Sequence, residues 1–455
     1  MIRTIKDKIK TNFQGEFTQN VIKLVTGTAI SQFLVIISTP LLTRIFSPAD
    51  FGIYGLFASI SGIFIVILNA GYEQAILLPE KEEDAINLLA FSAAFSVAFS
   101  LLIFLIIILF NSLLTSMIGI KDFQLLLYLI PISNIVKGFN QSQIYWCNRK
   151  KQFARISKNR IMAAIVLTFF SLLFGYLKYK AYGLIFAFIL SDIISSLFLL
   201  YSFCKEDFAK LKFISIKNMI TQIKQFSAFP KYNIWSSFIN SFSLNLPTIM
   251  FSGLFNPSVA GYYSASYKFI TMPVSLVAGS FSQVFFQKAS EERNNPVNIE
   301  KLSYETYKKL LSIGIIPFSI ILGFGDLIFS YALGSKWLIA GQYSQILSVF
   351  FLLILVSSPL SYLFPALYKP KPGFIWSIIL LLSRVIPIFI GYYVFNNPFL
   401  TVVLFGLSCT LIRFTFCLYL LRMVGIKITE SLTYTLSRVL PVLLFVYIIR
   451  LMFFR

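Results

Sequence analysis

The stretch Ile-Phe-Ser-Pro-Ala-Asp-Phe-Gly-Ile-Tyr at residues 45–54 returns 209 residues later as Leu-Phe-Asn-Pro-Ser-Val-Ala-Gly-Tyr-Tyr at residues 254–263. Phe, Pro, Gly and Tyr hold the same positions in both copies. The same shift aligns small polar residues that are spaced to share one helical face: Thr28 with Ser237, Gln32 with Ser241, Thr39 with Thr248 and Thr43 with Ser252. The sequence therefore predicts two copies of one helical unit.

The composition places this repeat in a membrane. Of the 455 residues, 57% are hydrophobic, 50 are Phe and only 13% are charged, whereas soluble domains contain roughly 25% charged residues. The mean hydropathy is +0.79. Thirteen apolar segments are long enough to cross a bilayer as helices, at about 20–46, 51–78, 85–110, 123–147, 156–178, 182–203, 227–254, 260–287, 305–333, 342–368, 374–396, 398–420 and 432–454.

The basic residues fix the predicted orientation. Connections on the side of the N-terminus contain 28 of the 39 basic residues, and those on the opposite side contain five. Lys and Arg concentrate in cytoplasmic connections, so the N-terminus is predicted to be cytoplasmic. Segment 20–46 is too long for a signal-peptide core and lacks a small-residue cleavage site, which predicts a retained span. The net charge of +21 is then a topology signal and does not indicate nucleic-acid binding.

Several kinds of chemistry are excluded by residue type. The chain has no His, so imidazole metal sites and His-dependent nucleophiles are absent. The four cysteines show no metal-binding spacing and are interpreted as packing residues: Cys147, Cys204, Cys409 and Cys417. The longest connections, 204–226 and 288–304, are too short for a soluble catalytic domain. We predict no catalytic residue, no metal and no cofactor.

Six spans per repeat is an even number, so both repeats enter the membrane in the same direction, related by an axis along the membrane normal. The predicted organisation is a six-helix lobe at 1–203, a cytoplasmic linker at 204–226, a second lobe at 227–422 and an additional helix at 423–455. Polar stripes on spans 1, 2, 7 and 8 are expected to face a central cleft, exposing Gln32, Ser59, Ser241, Lys268 and Thr271. The alternative is that small polar residues only allow close helix packing.

Few ionisable residues lie within the spans, where each costs roughly 2.5–3.5 kcal/mol at the bilayer centre. The cations are Lys137, Lys268, Arg384 and Arg413, and the anions are Glu73, Asp192 and Asp326. An excess of cations in a cleft suits a phosphate or pyrophosphate headgroup. Internal ion pairs, such as Asp192 or Asp326 with an Arg, are the alternative interpretation.

Residues 39–54 and the stretch Gly-Tyr-Glu-Gln-Ala-Ile-Leu-Leu-Pro at 71–79 resemble the opening of the polysaccharide repeat-unit (Wzx-type) flippases. These belong to the multidrug/oligosaccharidyl-lipid/polysaccharide (MOP) exporter superfamily. Further resemblance lies at 148–153, 229–232, 260–268 and 272–273.

The resemblance implies two six-helix lobes in a V that opens alternately to each side, with basic residues binding a lipid-linked pyrophosphate sugar. It places Arg44, Glu73 and Lys268 at motif positions, although the position of Lys268 is often Arg in the family. A thirteenth span departs from the usual even number. Segment 432–454 is expected either to cross the membrane or to lie in its interface.

We therefore predict an all-α multi-pass flippase of the bacterial cytoplasmic (inner) membrane. It moves an undecaprenyl-pyrophosphate-linked oligosaccharide to the outer leaflet for O-antigen or capsule assembly. The expected partners are this lipid-linked oligosaccharide, membrane lipid, a polysaccharide polymerase and glycosyltransferases, with H⁺ or Na⁺ coupling through Glu73 or Asp192. An ion-coupled exporter of drugs or small solutes is the alternative. A membrane glycosyltransferase or polymerase is disfavoured because no large loop with catalytic carboxylates is present.

Overall fold

The computed structural model describes residues 16–120, 123–227 and 229–453. Within these ranges the chain is helical and contains no strand. The basic residues at 1–15, Lys121 and Arg455 enter the charge count above but lie outside the described residues.

Thirteen helices of 17 residues or more lie in the described ranges, and each coincides with one predicted span. The first six are α1 (Glu16–Ile45), α2 (Pro48–Phe64), α3 (Glu82–Ile118), α4 (Leu129–Arg149), α5 (Phe153–Tyr176) and α6 (Lys180–Asp207). The next seven are α7 (Ile234–Leu254), α8 (Pro257–Glu291), α9 (Pro296–Leu333), α10 (Leu338–Leu360), α11 (Pro370–Ile390), α12 (Pro398–Met423) and α13 (Ile428–Phe453). Shorter helical segments are Tyr72–Ala75, Phe123–Leu127, Phe208–Phe213, Ile216–Gln225, Phe229–Asn233, Ser335–Trp337, Leu363–Ala366 and Gly391–Phe395.

In the described part of the chain, ten helices are long and apolar enough to cross a membrane. The three long helices outside that set are α2, α4 and α7. α2 has only 17 residues, and α4 buries Ser133, Asn134, Ser142 and Gln143. α7 carries the polar stripe predicted for span 7. Polar residues on buried faces lower the mean hydropathy of such a helix without preventing it from crossing.

Several helices of this chain begin with a capping residue that is followed by proline. Asn256 accepts from the backbone N–H of Val259 at 3.0 Å ahead of Pro257. Ser47 and Asp50 cap each other at the start of α2, where the Asp50 carboxylate accepts from the Ser47 N–H at 2.8 Å. Asn295 and Asn397 cap α9 and α12 in the same way, again before proline. Such caps satisfy N–H groups that a helix start leaves unpaired.

The chain divides into two compact units, unit 1 (residues up to Phe46 and Leu56–Ser241) and unit 2 (Ser47–Gly55 and Phe242–Arg455). Unit 1 has a core around Trp146, Tyr72 and Phe203. Unit 2 has a larger core rich in aromatic rings, including Phe251, Tyr263, Phe350, Phe351 and Phe405.

The two copies of the repeated motif meet inside unit 2. A methyl group on Gly52 would overlap the backbone carbonyl oxygen of Pro257, and one on Gly261 would overlap that of Pro48. Both pairs are related by the 209-residue shift, so the contact is reciprocal. The starts of α2 and α8 therefore cross backbone to backbone, as is typical where glycine removes the side chain between two membrane helices.

The thirteenth helix packs along α9 in the same direction. Tyr307 hydrogen-bonds Thr435 near the start of both helices. Near their ends Arg450 forms an ion pair with Asp326 at 2.8 Å and donates to the Gly323 carbonyl. Side-by-side packing over this length favours α13 as a crossing helix over the interfacial alternative. It also gives Asp326 the arginine partner that the ion-pair interpretation expects.

Candidate functional site

Two in-span cations of unit 2 lie near each other, Arg384 on α11 and Arg413 on α12. Arg384 is buried with 7% of its surface exposed, and its Nη1 donates to the Ser243 hydroxyl of α7. Arg413 lies close enough for its charge to interact with that of Arg384, and its guanidinium carbon is 5.3 Å from the centre of the Phe416 ring. The Tyr267 side chain of α8 interacts with both arginines.

These two arginines have no counter-charge in the described part of the chain. No described carboxylate oxygen lies within 4.0 Å of either guanidinium, and Nε of Arg413 is buried without a hydrogen-bond partner. A buried charge without a partner is strongly unfavourable. The pair is therefore a candidate anion site, which we call the arginine pair.

Lys268 lies on α8 in the same unit, half-buried, with its Nζ 6.0 Å from the centre of the Tyr54 ring. Among the described residues it has no carboxylate within ion-pair distance. Thr271, one turn further, donates its hydroxyl to the Tyr267 carbonyl at 2.6 Å. The structure shows no contact between Lys268 and the arginine pair.

In unit 1 the in-span cation Lys137 is paired with a carboxylate of the same unit. Lys137 of α4 donates to the Ser61 hydroxyl at 2.9 Å and lies 3.8 Å from the Asp192 carboxylate. Its Nζ is also 4.1 Å from the centre of the Phe188 ring, and Ser61 in turn donates to Asn134 at 2.9 Å. The ion-pair interpretation therefore holds for Asp192, with Lys137 in place of the expected arginine.

The other sequence-predicted residues of unit 1 lie on α1, on α2 and in the short helix Tyr72–Ala75. Glu73 is 3% exposed, its Oε1 accepts from Gln141 at 3.4 Å, and its Oε2 has no hydrogen-bond partner in the described residues. Gln32 has a buried amide oxygen that likewise accepts no hydrogen bond there, and Ser59 is buried in α2. Arg44 is exposed in the last turn of α1.

Sequence reasoning missed two residues near the arginine pair, Ser243 and Tyr267, and one buried polar residue of unit 1, Gln143. Ser243 accepts a hydrogen bond from Arg384, and Tyr267 lies near enough to both arginines to feel their charge. In the sequence each is one more Ser or Tyr in an apolar span. Gln143 of α4 is 4% exposed with both amide atoms unpartnered in the described residues. The low hydropathy of α4 was the available signal for Gln143. No group of three metal-binding side chains occurs in the described ranges.

The chain matches the sequence profile of the family described as "Polysaccharide biosynthesis protein" over residues 41–341, about two thirds of its length. It belongs to that family. No curated protein sequence matches the chain.

Solved structures show the fold. The lipid II flippase MurJ, in an inward closed conformation, matches with a TM-score of 0.75 at 14% identity, covering 96% of this chain and 93% of MurJ. A multidrug resistance MATE family transporter of the MOP superfamily, inward-facing, matches with a TM-score of 0.71 at 14% identity, covering 88% and 94%. A MOP superfamily transporter from Pyrococcus furiosus matches with a TM-score of 0.61 at 16% identity, covering 91% and 97%.

Family and fold together define a multi-pass membrane protein of the flippase or exporter type in polysaccharide biosynthesis. The predicted all-α transporter fold and the resemblance to polysaccharide flippases are confirmed. The structures that share its fold are those of transporters and a flippase, not of enzymes.

Proposed function

We propose that this protein is a flippase for an undecaprenyl-pyrophosphate-linked oligosaccharide repeat unit. It carries the unit from the cytoplasmic to the outer leaflet of the bacterial inner membrane, for O-antigen or capsule assembly, with its N-terminus in the cytoplasm. Transport proceeds by alternating access.

The arginine pair is the observation that carries this proposal. Two guanidinium groups without a described carboxylate partner provide paired N–H donors that match phosphate oxygens geometrically. A pyrophosphate has two phosphoryl groups, so it can engage both arginines at once. The family description, which concerns polysaccharide biosynthesis, supports a glycan as the cargo attached to that anion.

An ion-coupled exporter of drugs or small solutes is the second candidate. It is favoured by the buried carboxylate of Glu73 and by the fold shared with a multidrug transporter. A cationic drug would be repelled by the arginine pair, whereas an anionic lipid headgroup is attracted to it. The arginine pair therefore separates the two candidates.

Binding by the full-length protein in lipid nanodiscs tests the proposal. We expect undecaprenyl pyrophosphate to bind more tightly than undecaprenyl phosphate, because only the pyrophosphate has one phosphoryl group for each arginine. Arg384→Gln and Arg413→Gln should each weaken pyrophosphate binding roughly tenfold to hundredfold, the range for one lost charge-assisted contact.

The matched control is Arg438→Gln, which removes an exposed arginine of α13 outside the pair. It should bind like the unaltered protein. Equal affinity for both lipids, or equal losses in all three variants, would contradict a pyrophosphate site at the arginine pair.

A further inference from the structure

The linker contains a short amphipathic helix, Ile216–Gln225, which we call the linker helix. Its start is capped by the Ser215 hydroxyl, which accepts from the Asn218 N–H at 3.2 Å. At about 100° per residue, its four apolar side chains, three Ile and one Met, fall within an arc of about 100°. A short helix of this kind is stabilised mainly by what covers its apolar face.

Unit 1 covers only one edge of this apolar face. Ile223 packs on the unit 1 core around Tyr72, and the neighbouring Gln222 is 6% exposed. Ile216 and Ile220, on the other edge, are 78% and 47% exposed. The described part of the chain therefore leaves two isoleucines of the linker helix open to the surroundings of the protein.

Hydrogen bonds hold the linker helix at the end of the unit 1 spans. The Asn87 amide, in the second turn of α3, accepts from the Ser215 N–H at 3.0 Å. The Tyr72 hydroxyl donates to the Ile223 carbonyl at 3.0 Å, near the other end of the linker helix. Between Tyr72 and Asn87 the chain runs through 80–84, where every residue is charged. Charged side chains avoid the hydrocarbon core, so the linker helix is held at the level of the bilayer surface.

Two lysines border the exposed isoleucines. Lys217 and Lys224 are exposed and seven residues apart, so they lie on one line along the helix, within about 60° of Ile220. Their hydrocarbon stems can cover the isoleucines while the ammonium groups extend outward. An apolar edge bordered by lysines is typical of helices that lie in the membrane interface.

The charge of this segment specifies the kind of surface that it contacts. Residues 208–226 contain four lysines and no Asp or Glu. Lys210 is ion-paired with Glu82 and Asp207. No described carboxylate lies within ion-pair distance of the other three, which are Lys212, Lys217 and Lys224. Unpaired lysines at a bilayer surface attract anionic lipid headgroups.

We propose that the linker helix binds the surface of the membrane through anionic lipids. Ile216 and Ile220 enter the boundary between headgroups and acyl chains, and Lys217 and Lys224 contact headgroup phosphates. The proposed orientation of the chain makes this surface the cytoplasmic leaflet. The contact lies within unit 1 and is separate from the arginine pair, so it is independent of which substrate the protein transports.

Photo-crosslinking of the full-length protein tests the contact, in liposomes of phosphatidylcholine and phosphatidylglycerol in equal amounts. One protein has a diazirine analogue of leucine in place of Ile220, and a second has it in place of Asn218, which is exposed on the opposite side of the helix. We expect lipid adducts at position 220 and far fewer at position 218. Phosphatidylglycerol adducts should exceed phosphatidylcholine adducts about fivefold or more, since one lysine at an anionic surface accounts for about fivefold.

Charge variants with the probe at position 220 separate the lysines from the isoleucines. Lys217→Gln/Lys224→Gln should bring the ratio of the two lipid adducts close to one. The matched control Lys301→Gln/Lys309→Gln removes two exposed lysines of α9 and should leave the ratio unchanged. Salt at about 0.5 M should lower the ratio in the protein that keeps its lysines, because it screens exposed charges.

Three results would overturn the proposal. Lipid adducts absent at position 220, or equal at 218 and 220, would show that the isoleucine edge does not face the membrane. Adducts between two protein chains in place of lipid adducts would assign this edge to a second copy. An unchanged ratio in Lys217→Gln/Lys224→Gln would exclude the anionic headgroup contact.

Thermal unfolding in detergent without added lipid separates a lipid contact from a structural role. Both lysines are exposed and have no described ion-pair partner, so Lys217→Gln/Lys224→Gln should unfold at the same temperature as the unaltered protein. A marked drop in unfolding temperature would mean that the two lysines serve the fold and would also overturn the proposal.

Discussion

Buried cations in this protein differ in how their charge is compensated. Lys137 has a carboxylate at 3.8 Å and a hydroxyl at 2.9 Å within its own unit, so it needs no external anion. Arg384 and Arg413 have no carboxylate partner among the described residues, although Arg384 donates to the Ser243 hydroxyl. Sequence reasoning grouped the three because each is a cation in an apolar span. Only contacts between distant segments, such as α4 with α6, separate them.

Lys268 provides the residue-scale prediction. It stands where the first repeat has Ser59, so it adds a charge that packing does not require. If the charge attracts the substrate anion, Lys268→Ala should abolish surface polysaccharide export, whereas Lys268→Arg should retain much of it. Both are measured as polysaccharide at the cell surface, normalised to the amount of protein in the membrane.

The amount of Lys268→Ala in the membrane should stay normal, because no described carboxylate is left unpaired by the change. A buried ion pair broken on one side would instead cost about 3–5 kcal/mol and lower the protein level. Full export by Lys268→Ala would remove this residue from the substrate path.

At the scale of elements, the crossing of α2 and α8 is the most constrained contact. Gly52→Ala or Gly261→Ala places a methyl group against a backbone carbonyl that cannot move aside. We expect each to destabilise the protein by about 3 kcal/mol or more, as severe overpacking does, and to reduce its level in the membrane.

Gly279→Ala is the matched control on the same helix α8, since no atom lies within 4 Å of its added methyl group. Thermal unfolding of the purified variants compares the three. Unfolding temperatures that agree for Gly52→Ala, Gly261→Ala and Gly279→Ala would show that the crossing tolerates a side chain.

The helices themselves could be predicted well from the sequence, because a span is decided by about 20 consecutive apolar residues and by capping signals such as Asn256-Pro257. Helix ends were less predictable. Span 2 was expected at 51–78, yet α2 ends at Phe64, and a left-handed turn at Gly71 precedes the short helix Tyr72–Ala75. The packing of α13 along α9 also escaped prediction, since it depends on which distant helices meet.

At the scale of the whole molecule, the 209-residue repeat predicted the fold class because duplicated helical units imply a transporter architecture. The repeat did not predict the reciprocal glycine contact. It also did not predict that the in-span cation of unit 1 is paired with a carboxylate whereas the two arginines of unit 2 are not. The two repeats differ chemically at aligned positions, since the 209-residue shift aligns Lys268 with Ser59. The proposed substrate site therefore depends on differences between the repeats, which the repeat pattern itself does not reveal.

Translocation by the purified protein in liposomes tests the central claim most directly. A fluorescent undecaprenyl-pyrophosphate-linked glycan is placed in both leaflets, and a membrane-impermeant reductant bleaches the label in the outer one. The account predicts that the unaltered protein exposes nearly all of the label to the reductant. The Arg384→Gln/Arg413→Gln variant should leave about half protected, like empty liposomes. Equal bleaching with the unaltered protein and the double variant, or no bleaching beyond that of empty liposomes, would contradict it.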